Sequence, residues 1–133
     1  MQLEFLNDIS DGGKHPDVVS NQLIRLFDYD ASEATQLKEA INNVVIEKKE
    51  ALNLASLSFI VPVNCSLTMY LAESSIGITT RDQKAFTCAL TVADYITMLE
   101  LMEPFCGDGG EGHQWLYDTH SPIDFLFSPS GSW

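Results

Sequence analysis

The chain predicts an α+β fold, a mostly antiparallel sheet with two helices packed on one face. Three observations carry that expectation. Apolar residues alternate cleanly over 65–71 and 85–90, as strands with one buried face require. Two longer stretches, 31–49 and 91–105, repeat apolar residues at helical spacing behind recognisable N-caps. The resulting order is strand, strand, helix, four strands, helix, two strands, which packs most economically as helices on one side of a sheet. A strand–helix–strand–strand order occurs at 22–71 and again at 85–127, so the domain reads as two possible halves.

Each element has its own justification. Residues 3–6 form a short strand, and 7–16 is a loop by its Gly, Pro, Asn and Asp content. Residues 22–28 form a strand with both faces partly covered. Asp30 caps the first helix, with Glu33 at the capping-box position. Ala34, Leu37, Ile41, Val44 and Val45 make its stripe, while Lys38, Glu39, Glu47, Lys48 and Lys49 face solvent. Residues 51–72 carry no charge and predict two strands. In the first, Leu52 and Leu54 oppose the parity of Leu57 and Phe59, so either a bulge lies near Ala55–Ser56 or the strand starts only after it.

The segment 85–107 organises the rest. Its strand presents Phe86, Cys88 and Leu90 to one side, and Thr91 caps the helix with Asp94 three residues on. Val92, Tyr95, Ile96, Met98, Leu99, Met102 and Phe105 form a broad apolar face, which makes this the most buried helix. Pro104 and Gly107 end it. Strands at 76–80, 113–117 and 123–127 complete the order.

At 133 residues, 45% of them hydrophobic, the chain fits one domain spanning 1–133 with a core of its own. No stretch of about 18 uninterrupted apolar residues suggests a membrane span. The start has an early acid and no basic region before an apolar run, unlike a signal peptide. Three cysteines leave at least one unpaired, so a reducing, cytoplasmic setting is expected. The formal charge of −12 argues against nucleic acid and anionic membranes, both of which need clustered Lys and Arg. No Lys or Arg follows Lys84, whereas seven acids do.

Metal-type and catalytic side chains concentrate after the second helix, where Cys106, Asp108, Glu111, His113, Asp118 and His120 fall within fifteen residues. Their spacing matches no zinc, H-E-x-x-H or EF-hand pattern, so no metal is expected. Cys106 is a poor nucleophile, because it sits at a negative helix end among Glu103, Asp108 and Glu111. The glycines of 107–112 leave a helix instead of entering one and are acidic, which does not suit a phosphate. No nucleophile elbow or dinucleotide fingerprint is present, and no cofactor is implied.

Two surfaces remain. Glu100, Glu103, Asp108, Glu111 and Asp118 form an acidic end suited to a basic protein surface. A charge-free sheet face of Ser66, Thr68 and Tyr70, with Thr87 and Ala89, is suited to a helix, a partner or a second subunit. The expectation is a small cytoplasmic protein–protein interaction module with a basic partner or as a homodimer. Its size, negative charge and lack of a catalytic motif are traits shared with bacterial immunity or inhibitor-like proteins. The alternative is an enzyme or ligand-binding domain using His113, Trp115 and His120 with Cys106 nearby.

Overall fold

The computed structural model describes residues 1–7, 22–107, 110–117 and 123–133, and the elements lie in those ranges. Strands β1 (Gln2–Leu6) and β2 (Gln22–Phe27) precede α1 (Ala31–Ala40). That helix continues into a π-helical stretch, Ile41–Glu47. Then come β3 (Leu52–Asn53), β4 (Val61–Pro62), β5 (Ser66–Leu71), β6 (Gly77–Thr80) and β7 (Ala85–Leu90). Helix α2 (Val92–Met102) runs into a 3-10 turn, Glu103–Cys106, and is followed by β8 (Gln114–Tyr117) and β9 (Ile123–Phe127).

The fold is α+β, but the strands divide between two sheets, and both are mixed. One has the order β4-β1-β2-β9-β8, the other β3-β5-β7-β6. β2 lies parallel to β9 and β5 parallel to β7, while the hairpin pairs β1–β2, β3–β5, β6–β7 and β8–β9 are antiparallel. The parallel pairs arise because each helix carries the chain out of one sheet and into the other. β2 leads through α1 to β3 in the second sheet, and β7 leads through α2 to β8 in the first.

The two halves foreseen in the sequence are therefore strand–strand–helix–strand–strand units that exchange their closing hairpins. Each sheet holds the opening hairpin of one half and the closing hairpin of the other. The register repeats as well. Ile24 pairs with Phe125 and Leu26 with Phe127 across β2–β9, as Phe86 pairs with Leu67 and Cys88 with Met69 across β7–β5. The caps match too: Asp30 accepts from the Glu33 amide and Thr91 from the Asp94 amide. β4 has no counterpart among the described residues.

One continuous core joins the inner faces of both sheets to the buried sides of both helices. Phe5 of one sheet meets Phe86 of the other with ring centroids 4.7 Å apart. Helix α1 contributes Ala34 and Leu37, and its π extension contributes Ile41 and Val45, on the expected stripe. Helix α2 buries Tyr95, Met98, Leu99 and Met102, but Val92 and Ile96 are exposed, against expectation. The apolar arc is wider than the contact that α1 and the sheets offer. The strand expected from residue 52 is only two residues long. Asn53 accepts from the Ala55 amide at 3.0 Å and starts a 3-10 turn, Leu54–Ser56, which produces the parity switch read as a bulge or a late strand start.

The capping box at Asp30 also ties the helix start to the chain start. Glu33 accepts from the Asp30 amide and from the Met1 ammonium, the latter at 2.7 Å. Asp30→Ala removes the acceptor for Glu33 N, and a loss of about 0.5–2 kcal/mol is expected in a urea melt.

Candidate functional site

The helices run antiparallel side by side, since α1 packs on the Glu103–Cys106 turn while α2 packs on the π stretch after α1. Between them lies a groove of about 540 Å³, lined by Thr35, Lys38, Glu39, Asn42, Asn43, Leu99, Glu103 and Cys106. A second depression of about 410 Å³ shares Lys38, Asn42, Leu99 and Glu103 with it and adds Ile96 and Glu100. Counted from the two N-caps, Thr35 matches Ile96, Lys38 matches Leu99, Glu39 matches Glu100 and Asn42 matches Glu103. Equivalent helix positions thus form both walls of the groove. Their chemistry differs. The α1 wall is hydroxyl, amide and ammonium with one carboxylate, Glu39, whereas the α2 wall is apolar and acidic.

Lys38 donates from its ammonium to Glu103 across the groove. That bond, more than any other influence, raises the lysine's pKa above its ordinary value. The side chains are 33% and 63% exposed, so solvent screens the pair and its contribution to stability is under about 1 kcal/mol.

The expected acidic end is only partly gathered here. Glu100 and Glu103 stand exposed on the groove's α2 wall, and Glu111 is exposed in the following loop. Asp108 and Asp118 lie outside the described residues. Of the alternative cluster, Cys106 lines the groove, half-buried, with its Sγ 3.6 Å from the Met102 carbonyl. His113 is exposed, 6.0 Å edge-on from the Trp115 ring. Trp115 packs against Leu23 and Leu126, a small cluster separate from the main core, and His120 lies outside the described residues. Among the described residues, no three His, Cys, Asp or Glu side chains converge as metal ligands would.

Burial pushes the Tyr29 phenol far above the ordinary tyrosine range, with Cys106 adding to the effect. Tyr29 stacks on Phe127 at 4.4 Å, and its hydroxyl has no hydrogen-bond partner among the described residues. Burial also raises the thiols of Cys65 and Cys88, to about 11 and about 12. A thiol reagent at pH 8 is therefore expected to label Cys106 and spare Cys65 and Cys88 in the native protein, because the thiolate is the reactive form. Peptide mass spectrometry after a short exposure checks this, with full labelling of all three in urea as the reference.

The neutral face lies on the second sheet, away from the helices. Thr68 sits beside Thr87 and Tyr70 beside Ala89, with Tyr70 exposed, Thr68 and Thr87 half-buried and Ala89 buried. The Thr79 and Thr87 hydroxyls are hydrogen-bonded at 3.1 Å.

Lys38, Asn42 and Ile96 were not singled out as site residues in the sequence. The signal that finds them is the match between the helices, counted from Asp30 and Thr91. No helix among the described residues is long and apolar enough to cross a membrane. Compared with known proteins, the chain matches no family model, no curated relative and no solved structure.

Proposed function

We propose that the protein is a small acidic protein–protein interaction module, of the immunity or inhibitor-like kind, whose partner presents a basic surface. The observation that carries this reading is the pair Glu100 and Glu103, exposed on a groove wall at the negative end of α2 with no lysine or arginine later in the chain. A net charge of −12 adds long-range attraction for a basic partner and keeps like-charged copies apart.

Charge reversal tests it. Glu100→Lys with Glu103→Lys and Glu111→Lys is expected to slow association with a basic partner about 10- to 100-fold at low salt. The melting temperature should move little, and the effect should shrink as salt rises. Reversing Glu47 and Glu50, exposed beyond the first helix among Lys48 and Lys49, is the comparison. Slowing from both sets in proportion to the number of charges reversed would mean that net charge alone governs association.

A homodimer built on the neutral sheet face is the weaker reading. Its strands are two, six, six and four residues long, and at about 3.3 Å per residue and about 4.8 Å per strand they offer roughly 300 Å², well under half of the about 800 Å² per partner typical of a stable interface.

A further inference from the structure

We propose that the groove between α1 and α2 receives one basic, amphipathic helix of a partner protein, and that Lys38 holds in the free protein the place at Glu103 that the partner's Lys or Arg takes on binding. This rests on the acidic-module reading and names the site and the shape of the partner. Two side-by-side helices leave a channel into which the ridges of a third helix pack. A groove of about 540 Å³ accepts a few side chains and not the bulk of a domain, so the inserted element is narrow.

The walls define its chemistry. Ile96 is 45% exposed, an isoleucine with one side left open, and Leu99 continues the apolar strip beneath it. Glu39, Glu100 and Glu103 line the rim, and Lys38 is the cation among them. An occupant with an apolar stripe flanked by Lys or Arg complements both features at once. The side-chain amides of Asn42 and Asn43 offer further donors and acceptors on the opposite wall.

Lys38 is the resident substitute. It reaches from one wall to an acid 65 residues later on the other, which joins the walls while the groove is empty of a partner. The pair is solvent-exposed and weak, so an incoming cation displaces it at small cost. Removing Lys38 frees Glu103 and opens the channel.

The test uses the full chain and a labelled peptide of Leu, Lys and Ala, about four helical turns long, with its leucines on one face. A second peptide carries Ser in place of each Leu. Fluorescence anisotropy at low ionic strength reads both affinities. Lys38→Met is expected to bind the leucine peptide about 2- to 5-fold tighter than Lys84→Met, which makes the same change of net charge in the β6–β7 turn. Ile96→Ser, at a surface position that leaves the melt unchanged, is expected to weaken the leucine peptide about 10-fold and the serine peptide hardly at all.

Equal binding of the two peptides, with no effect of Ile96→Ser, would overturn the groove while leaving the acidic-surface reading standing. Loss on Ile96→Ser with Lys38→Met and Lys84→Met alike would keep the groove and overturn displacement of Lys38. Failure of both peptides to bind any variant at low salt would overturn both readings.

Discussion

Tyr95→Ala is expected to lower stability by about 3–5 kcal/mol, the range for truncating a large buried ring. A domain of this size has about 5–15 kcal/mol in all, so the variant approaches the edge of folding. Tyr95 is fully buried, and its phenol lies between the carbonyls of Cys88 at 2.7 Å and Tyr70 at 2.9 Å. Those carbonyls belong to β7 and β5, the parallel pair through which the two halves meet in the second sheet. The ring therefore fills the core beneath a seam that its hydroxyl also fastens. Tyr95→Phe separates the two effects and should cost about 1–3 kcal/mol, the penalty for losing a buried bonding partner. Urea melts of the pair measure both, and a loss below about 1 kcal/mol for the alanine variant would place Tyr95 outside the core. Leu99→Ala, at the edge of an open groove, should fall near the lower end of the 2–5 kcal/mol range for core leucines.

Alkali is expected to unfold the protein between pH 9 and about 12. The Cys88 thiol rises from 9.0 to about 12 on burial, Cys65 rises to about 11, and the phenols of Tyr29 and Tyr95 move upward as well. Each raised value means that the folded state keeps a proton the unfolded chain releases. Stability from these groups is complete below the unfolded values and is lost as pH climbs through the folded ones. Cys88 alone, between 9.0 and about 12, contributes on the order of 4 kcal/mol to that loss. Cys88→Ala should flatten the alkaline limb of stability against pH while leaving the slope near neutrality unchanged. An identical limb in the variant would assign the loss to Cys65 and the tyrosines.

Short-range signals were legible in the sequence. The Asp30–Glu33 box and the Thr91 cap lie within four residues and form as read. The apolar faces of β5 and β7 follow from alternation within six residues. Pairings across the chain were not legible. Nothing local tells β2 to choose β9 over β5, and the inner faces of all these strands are equally apolar. β4 was hidden for a related reason. Its ladder is extended by a side chain, with Asn64 accepting from the Phe5 amide and donating to the Phe5 carbonyl, both at 2.8 Å. Of the candidate site, the two glutamates on α2 were legible from charge. Ile96 was assigned to the core because periodicity locates an apolar arc but not the width of the surface that meets it. Lys38 was read as plain solvated charge, since its acid lies on the other helix.

The exchanged hairpins also set when the chain can fold. β9 is an inner strand of the first sheet and pairs with β2, whose partner residue in register is about a hundred positions earlier. During synthesis β1 and β2 must wait with one edge unpaired until residue 127 has emerged. The second sheet, complete once β7 appears, can assemble while the first is still open. Non-local pairing of this kind slows folding, because loop-closure entropy is lost before the contacts that offset it form. The waiting β2 edge is also where a nascent chain is most exposed to pairing with a neighbour. The architecture that joins the halves in the finished protein thus makes their order of appearance matter on the ribosome.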